Sequence, residues 1–227
     1  IIHLHNQVSL YNRVKRPIFR LLVRGNYFIG CSKATTKSAL ELGLKKSNVI
    51  TIENAIDFNR LNKYENLNRK EFNIDNDAFV VLMFGYSYFV KGIDIAIKAL
   101  ESLRKKHNIE LLISVSSREN ELKQNIINDF GTIPNWIKII KPRDDVASYY
   151  KFSNMFLSAS REEGFCYSLV EAAYCETITM ASKIPAQEEL ILPYKKKFNS
   201  NDPVDLKNKM RDVIQKGVDK DLLKKQK

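Results

Sequence analysis

The chain has 227 residues, of which 44% are hydrophobic, and a formal net charge of +11 at pH 7. This length and composition suit a globular protein with one large domain or one and a half smaller ones. No apolar run approaches the ~18–20 residues that cross a bilayer, and the first residues do not form a signal peptide. Three cysteines without close spacing argue against a disulfide framework or a zinc site, and favour a reducing cytoplasm.

The positive charge is compatible with three kinds of partner: nucleic acid, an anionic membrane face or a phosphate-bearing substrate. The Lys and Arg residues are dispersed along helical stretches without aromatic interleaving, and no nucleic-acid motif is present. We therefore expect most of the charged side chains to lie on a solvated face. Attraction to anionic lipid headgroups is the second interpretation of the charge, and binding to nucleic acid is a distant third.

The first quarter of the chain predicts an α/β arrangement. Apolar runs and helical stripes indicate strands at residues 1–4, 27–31 and 49–52, and helices at residues 12–24 and 32–43. Ser32 is suited to cap the second helix, and Gly43 is suited to follow its last turn. Because the chain begins with Ile and not Met, we expect a fragment whose beginning lies outside the sequence.

Two histidines mark the exit of the first strand. His3 and His5 alternate onto one side of it, where the chain leaves at Asn6. A histidine at a strand exit can enter a cleft, but position alone favours a histidine that is satisfied by neighbouring backbone.

Residues 55–77 are predicted to be a hinge and linker, because residues 58–77 are rich in Asn, Lys and Glu. Asp75 and Asp77 imitate a D-x-D metal motif. They stand in a turn before the next strand, so we expect no metal site there.

The rest of the chain predicts a parallel sheet with helices on both faces. Strands are expected at residues 78–84, 110–115, 137–140, 156–158 and 178–181. The first of these is continuously apolar, which is typical of a strand covered on both faces. Helices are expected after the first strand, with Ala96, Ile97, Leu100 and Leu103 inward, then through Tyr150, at residues 169–174 and at residues 206–214.

Lys91 stands at the mouth of the first of these helices, in the loop that begins at Gly85. A lysine in this position can reach a diphosphate and stabilise the leaving group as negative charge builds up. It can equally be a surface lysine, and position alone barely separates the two.

Two carboxylates stand out in the strand–loop–helix–strand unit of residues 156–182. Glu163 lies in the loop after the strand, and Glu171 lies about one turn inside the helix. Ligands of parallel sheets collect at the carboxyl ends of the strands. The helix N-terminus, which suits a phosphate, is approached by the backbone N–H groups of Gly164, Phe165, Cys166 and Tyr167. A carboxylate on either side of an anion site predicts a nucleotide sugar as the ligand.

Each carboxylate also has a plainer interpretation. Ser168 and Glu171 have the spacing of a capping box, in which Glu171 reaches back to the N-cap amide. Glu163 can be a solvated loop charge. Ser168 and Glu171 nevertheless belong to the candidate nucleotide-binding set, together with Gly85 and Lys91.

The two glutamates also carry a resemblance to a known family. The sequence from Glu163 to Phe165, followed by Glu171 and Ala172, is similar to the E-G-F…E-A signature of retaining glycosyltransferase family 4. The resemblance implies the GT-B fold, two Rossmann-like domains facing a cleft, and no catalytic metal. It also implies that Glu163 contacts the donor sugar and that Glu171 holds the ribose hydroxyls of the nucleotide.

The N-terminal part resembles the acceptor-binding domain of the same family, through the HLHN, FIGCS and IENAID segments that begin at His3, Phe28 and Ile52. The resemblance implies that a histidine of the first segment reaches the active site, and His5 is the better candidate. Residues 1–54 are then a remnant of the N-terminal domain, most of which is absent, and residues 78–227 are the nucleotide-sugar-binding domain.

The chain departs from the family pattern at Tyr86, Ser116 and Glu176. Ser116 and Ser117 stand where relatives commonly have a V-G-x-G turn near the nucleotide, so close approach of the backbone is less free than with glycine. Family members carry G-R-x-x-x-x-K-G where this chain keeps Gly85 and Lys91 but has Tyr86 in place of Arg. A phenol supplies one neutral hydrogen bond in place of a bidentate cation, so we expect phosphate binding to depend more heavily on Lys91. Glu176 replaces the Gly that usually ends the central helix, which disfavours a left-handed cap unless the turn is built differently.

Arg143 stands in a loop similar to the one where relatives hold the base. It is able to stack on or pair with the nucleotide. Its two acidic neighbours favour a local ion pair instead.

The resemblance implies a retaining glycosyltransferase that moves a sugar from a nucleoside diphosphate sugar to a hydroxyl in bacterial capsular or exopolysaccharide synthesis. Lys91, Glu163 and His5 are the candidate catalytic residues. Acceptors of such enzymes are often lipid-linked, which fits a cytoplasmic protein at the inner face of a membrane. The alternatives are a GT-B sugar-nucleotide epimerase, a catalytically silent sugar-nucleotide-binding partner subunit, and a nucleic-acid-binding domain supported only by charge.

Overall fold

The computed structural model describes residues 1–7, 25–190 and 195–216. The chain divides into two compact units. The first comprises Ile1–Ile56, Glu162–Tyr167 and Ile184–Leu190, and the second comprises Asp57–Arg161, Ser168–Lys183 and Ile191–Lys227. Two short segments from within residues 78–227 thus belong to the first unit. The acceptor and donor roles of the predicted domains stay a prediction.

The first unit contains a three-stranded parallel sheet in the order β1 (Ile2–Leu4), β2 (Phe28–Gly30) and β3 (Val49–Thr51). Its small core consists of Phe28, Ala39 and Val49. The three strands predicted in this part of the chain are confirmed. The basic helix predicted at residues 12–24 lies outside the described residues.

Helix α1 (Lys33–Glu41) connects β2 to β3, and its two ends are capped as the sequence predicts. The Ser32 hydroxyl accepts a hydrogen bond from the N–H of Thr35 at 3.1 Å. At the other end, Gly43 adopts a φ of +90°, which a residue without Cβ reaches at little energetic cost. Capping at both ends fixes the short helix in register with the sheet.

The second unit is built on a six-stranded, fully parallel sheet in the order β6-β5-β4-β7-β8-β9. The strands are β4 (Phe79–Phe84), β5 (Ile109–Ser114), β6 (Ile137–Ile140), β7 (Met155–Ser158), β8 (Ile178–Ser182) and β9 (Lys195–Phe198). The strands predicted from apolar runs are confirmed. Strand β9 was not predicted, since three of its four residues are lysines.

Helices connect these strands and cover the sheet. They are α2 (Ile93–Arg104), α3 (Glu119–Phe130), α4 (Ala147–Phe152), α5 (Tyr167–Tyr174) and α7 (Pro203–Lys216), whereas α6 (Pro185–Glu188) lies in a segment of the first unit. The inward stripe predicted for α2 is confirmed, because all four of its residues are buried. The predicted linker contains two short 3₁₀ segments, Phe58–Asn62 and Arg69–Phe72. None of the helices among the described residues has the length and apolar character needed to cross a membrane.

The strand order reverses direction at β4, which pairs with β5 on one side and with β7 on the other. Four of the six residues of β4 are fully buried, and its flanking strands are buried throughout. In open parallel sheets, ligands bind where the strand order reverses, beyond the carboxyl ends of the strands. The chain leaves β4 at Gly85, so the loop that carries Lys91 starts at this point.

The turn after α5 contains a residue that strains the backbone. Glu176 has a φ of +61°, so the left-handed conformation is adopted without the usual glycine. Its N–H donates to the carbonyl of Ala173 at 3.0 Å, and the next N–H, of Thr177, donates to Ala172 at 2.9 Å. This turn therefore has the hydrogen bonds of a helix C-terminus that favours glycine.

Replacing Glu176 by glycine is expected to raise the free energy of unfolding by about 0.5–1 kcal/mol, because glycine tolerates positive φ. Urea denaturation of the two proteins measures the difference. Lys105→Gly is the matched control, since Lys105 follows α2 with a right-handed φ of −59°. Glycine there only adds freedom to the unfolded chain and should lower the stability. Equal losses for both variants would show that the turn at Glu176 is not strained.

Candidate active site

Glu171 is a buried carboxylate of the second unit, with 5% of its surface exposed. Its Oε2 accepts a hydrogen bond from the Tyr150 hydroxyl at 2.9 Å, and its Oε1 forms an ion pair with Arg60. A buried charge needs such partners, since desolvation without them would be costly. Helix α5 begins at Tyr167, so Ser168 lies in its first turn and Glu171 lies about one turn further along.

Tyr150 connects Glu171 to the carboxyl end of β4. Its ring is fully buried, 5.8 Å from the ring of Phe84 between centroids, and its carbonyl accepts a hydrogen bond from Thr177 at 2.8 Å. Phe84 in turn lines a cleft of about 220 Å³, together with Tyr86, Ser116 and others. Glu171 therefore lies one side chain away from the wall of a cleft at the point where the strand order reverses.

The loop between β4 and α2 is closely fitted to its surroundings. A Cβ on Gly85 would lie 2.5 Å from Cγ2 of Ile113, and one on Gly92 would lie 2.1 Å from the carbonyl oxygen of Ala159. Gly92 also has a φ of +63°, so glycine is required there for two reasons. Lys91 precedes it, half-buried, with its Nζ 4.6 Å from the centroid of the Tyr86 ring.

The Tyr86 ring provides a cation–π contact at the position where relatives are expected to have Arg. It also lines the cleft, and 48% of its surface is exposed. Tyr86 therefore contacts the Lys91 ammonium and also forms part of the cleft wall. An arginine at this position would add a second cation, which the neutral ring does not.

Arg143 lines the same cleft and is ion-paired, as its acidic neighbours predict. Its Nε lies 2.7 Å from Oδ1 of Asp145, and its Nη2 contacts Glu65. The hydrogen bond from Arg143, with one from Ser148, lowers the pKa of Asp145 from 3.8 to about 2. The preference for a local ion pair is confirmed.

In the first unit, the loop of Glu163 and Gly164 packs against the exit of β1. The carbonyl oxygen of Gly164 accepts hydrogen bonds from the hydroxyls of Ser32 at 2.6 Å and Thr35 at 3.2 Å. A Cβ on Gly164 would lie 1.7 Å from the carbonyl oxygen of His5, so only glycine permits this approach. The structure therefore brings His5 and the Glu163 loop together through their backbones.

The side chains of this group differ in exposure. Glu163 is buried, with 8% of its surface exposed, and its carbonyl accepts a hydrogen bond from Gln7 at 3.2 Å. The rings of His3 and His5 stack with centroids 6.2 Å apart, and both are exposed. The predicted alternation of the two histidines onto one side of β1 is thus confirmed.

The remaining residues of the predicted anion site lead into α5. Phe165 is half-buried, and its ring meets the exposed ring of Tyr167 edge to face at 5.1 Å. Cys166 between them is buried and has a φ of +78°. A left-handed conformation at a residue other than glycine stores strain, here in the turn that leads into the helix.

The family follows from the sequence of the second unit. The profile described as Glycosyl transferases group 1 matches residues 65–227. The chain belongs to the group 1 glycosyl transferases. It is also 30% identical, over 148 residues, to the O-antigen biosynthesis glycosyltransferase WclY of Escherichia coli. The match covers 64% of this chain and 40% of WclY, so the chain spans less than half of that relative.

Solved glycosyltransferases share the fold of this group 1 glycosyl transferase. HepE of Anabaena in complex with UDP superposes with a TM-score of 0.77 at 19% identity, covering 98% of this chain and 64% of HepE. Its complex with UDP-glucose gives a TM-score of 0.78, with 95% and 62% covered. WaaG, which is involved in lipopolysaccharide biosynthesis, gives 0.62 at 15% identity, with 85% and 55% covered. The fold is therefore the predicted GT-B type.

Sequence reasoning missed several residues that shape the site of this group 1 glycosyl transferase. Arg60 and Tyr150, the partners of Glu171, lie 111 and 21 residues away from it. Arg60 stands in a polar linker, and Tyr150 stands in a short helix with other aromatic residues. Neither position carries a local pattern, so only the three-dimensional structure reveals them.

Proposed function

We propose that the protein is a retaining glycosyltransferase of family 4 that transfers a sugar from a nucleoside diphosphate sugar to a hydroxyl acceptor. The observation that carries the proposal is Glu171, a buried carboxylate that one side chain, Tyr150, separates from the wall of the cleft where the sheet order reverses. Burial of an acidic group at a ligand-binding edge is more typical of a site than of a solvated face. Membership of the group 1 glycosyl transferases supports the same reaction class.

The cleft supports a nucleotide as the bound part of the donor. Its aromatic and aliphatic walls, from Phe84, Tyr149 and Val146, suit a base, and Arg143 lies at its rim. Glu171 then accepts hydrogen bonds from the ribose hydroxyls, as the family resemblance implies. UDP is the first nucleotide to test, because the related fold of HepE was solved with UDP and with UDP-glucose.

The reacting groups are assigned by the same reasoning. The bond between the anomeric carbon and the diphosphate oxygen breaks, and the diphosphate leaves with the electron pair. We assign the stabilisation of that charge to Lys91 and the N-terminus of α2, the positioning of the sugar to Glu163 and a further catalytic role to His5. The acceptor hydroxyl gives its proton to the departing diphosphate oxygen, and its own oxygen bonds to the anomeric carbon on the face that the diphosphate left. No metal ion takes part in this scheme.

The acceptor is proposed to belong to a bacterial surface polysaccharide. WclY is an O-antigen biosynthesis glycosyltransferase, which favours this class of product. A net charge of +11 and a sequence pI of about 9.4 suit a lipid-linked acceptor at an anionic membrane face on the cytoplasmic side.

Replacing Lys91 by alanine is expected to weaken UDP binding about 10- to 100-fold and to change uridine binding less than about twofold. The reason is that a charge-assisted contact to phosphate contributes about 1.5–3 kcal/mol, while the nucleoside lacks the phosphates. Calorimetric titration of both ligands into wild type and variant measures the two ratios.

Lys98→Ala is the matched control for this titration, because Lys98 is an exposed lysine on α2, the helix that follows the Lys91 loop. It should leave both affinities unchanged. Equal losses of UDP and uridine binding in Lys91→Ala would mean that Lys91 supports the fold and not the phosphate. Wild-type protein that binds UDP but never hydrolyses or transfers the donor sugar would instead be the silent subunit.

A further inference from the structure

Arg161 forms a bidentate ion pair outside the candidate site described above. It follows β7 in the second unit, and its Nη1 and Nη2 lie 2.9 Å and 2.8 Å from the two carboxylate oxygens of Asp94. Both side chains are largely buried, with 15% and 13% exposed. Asp94 belongs to the first turn of α2, directly after the loop that carries Lys91.

The same arginine holds that loop in three further ways. Its backbone N–H donates to the carbonyl of Val90 at 2.8 Å, and its guanidinium donates to the carbonyl of Phe89. The guanidinium carbon also lies 3.9 Å from the centroid of the Phe89 ring. Phe89 and Val90 are the two residues before Lys91, so Arg161 fixes the backbone from which the Lys91 side chain extends.

Other contacts restrain the rest of the loop. The Tyr88 hydroxyl donates to Asp129 at 2.7 Å, and burial together with this carboxylate raises the pKa of Tyr88. Nε of Arg161 donates to Asn201 at 2.6 Å, which limits rotation of the guanidinium itself. The restraint therefore converges on the segment that precedes Lys91.

The ion pair also has an electrostatic consequence. Asp94 is suited to the positive end of the α2 dipole, but its negative charge stands at the helix end where a diphosphate is proposed to bind. Arg161 neutralises that charge through both oxygens. Without Arg161, Asp94 would repel the phosphates and Phe89 would lose its anchor.

We propose that Arg161, through its pair with Asp94, is a positioning residue that fixes the Lys91 loop for binding the donor diphosphate. This inference rests on the proposed function. Arg161 contacts the loop backbone and the first turn of α2 and acts through Lys91. Its effect should therefore fall on ligands that carry the diphosphate and spare the nucleoside.

The test uses calorimetric titration of UDP and uridine into the 227-residue chain and its variants. Arg161→Lys keeps a charge but cannot form the two-point contact. It is expected to weaken UDP binding about tenfold and to leave uridine binding within about twofold of wild type. Asp94→Asn breaks the same pair but also removes the negative charge near the phosphates, so its loss of UDP affinity should be smaller than that of Arg161→Lys. The double variant should be no weaker than Arg161→Lys alone, since both changes break one unit.

Arg104→Lys is the matched control. Arg104 ends α2, pairs with Glu110, donates to the carbonyl of Ile109 and lies over the ring of Trp136. It makes the same three kinds of contact as Arg161, but at the opposite end of the helix. Arg104→Lys should leave the ratio of UDP to uridine affinity at the wild-type value.

Three results overturn the positioning role: unchanged UDP affinity in Arg161→Lys, equal losses for UDP and uridine, or the same ratio change in Arg104→Lys. Circular dichroism melting curves verify that each titrated variant is folded. Wild-type chain that does not bind UDP overturns the proposed function itself, and the positioning role with it. A tenfold change in the ratio in Arg161→Lys, with a smaller change in Asp94→Asn and none in Arg104→Lys, supports the proposal.

Discussion

Replacing Glu171 by alanine is expected to reduce the affinity for UDP at least about a hundredfold. A carboxylate that accepts hydrogen bonds from two ribose hydroxyls contributes about 1.5–3 kcal/mol for each, and alanine provides neither. Uridine binding should fall by a similar factor, because the ribose is common to both ligands. Titration of UDP and uridine into wild type and Glu171→Ala measures both losses. The pattern is the opposite of that expected for Lys91→Ala.

The stability of the same variant separates a binding role from a structural one. Alanine leaves the Tyr150 hydroxyl, which is buried, without its acceptor, and this should lower the free energy of unfolding by about 1–3 kcal/mol. Glu171→Gln retains the shape and an acceptor oxygen, so its loss of stability should be smaller. If the only role of Glu171 is to contact Arg60 and Tyr150, the Glu171→Gln variant will bind UDP with wild-type affinity. That result would show that the assigned ribose contact is wrong.

Glu176→Ala is the control on the same helix end. Glu176 is half-buried and lies five residues beyond Glu171, in the turn after α5. The loss of a carboxylate there should not change UDP affinity. Arg60→Gln provides a second comparison, because Arg60 pairs with the oxygen that a ribose hydroxyl would use. Removing a competing donor should leave UDP affinity unchanged or raise it.

The sheet of the second unit was predictable because parallel strands are buried on both faces. The apolar run at residues 78–84 predicted β4 to within one residue, and the run at residues 137–140 coincides with β6. Strand β9 was not predictable in this way. Its lysines lie on the last strand of the sheet, where lysine is tolerated and discourages pairing with another chain.

The candidate site was predictable only where a short motif fixed it. Glu163, Glu171 and Lys91 follow from local signatures at strand exits and helix starts. The partners of those residues cannot be predicted from local signatures. The contact between Arg60 and Glu171, for example, depends on how distant segments of the chain pack. The ion pair between Arg161 and Asp94 was equally unpredictable, since the two residues are 67 positions apart along the chain. The sequence therefore predicted the charged candidate residues, but not the side chains that pair with them.

The conformation of the site loops was also beyond the sequence. Cys166 and Glu176 both adopt positive φ, although neither is a residue type that favours it. The expected penalty at Glu176 was recognised from the missing glycine, whereas Cys166 carried no such signal. Tyr86 was expected to provide only a neutral hydrogen bond, and the structure instead places its ring against the Lys91 ammonium.

Replacing Gly164 by alanine is expected to lower the free energy of unfolding of the first unit by about 3 kcal/mol or more. The added Cβ would lie 1.7 Å from the carbonyl oxygen of His5 and 2.7 Å from its carbonyl carbon. These are backbone atoms, so no side-chain rotation relieves the contact. Overpacking of a closely packed site typically costs about 1–3 kcal/mol, and more where the backbone must move.

Neither backbone at this contact is free to give way. The chain before His5 is held by the pairing of β1 with β2, in which His3 lies opposite Ile29. The chain at Gly164 is held by the hydroxyls of Ser32 and Thr35, which donate to its carbonyl oxygen. The variant must therefore break the strand pairing or move the Glu163 loop. Both outcomes should also lower sugar transfer, if Glu163 positions the donor sugar.

Gly131→Ala distinguishes this clash from the ordinary effect of adding a methyl group to glycine. Gly131 has a φ of +78°, and a Cβ there would meet no atom within 4 Å. Alanine should cost only about 1 kcal/mol at that position, from the left-handed backbone. Urea denaturation of both variants measures the comparison. A loss in Gly164→Ala no larger than in Gly131→Ala would show that His5 and Gly164 are not in contact, and the backbone link between the two candidate residues would be wrong.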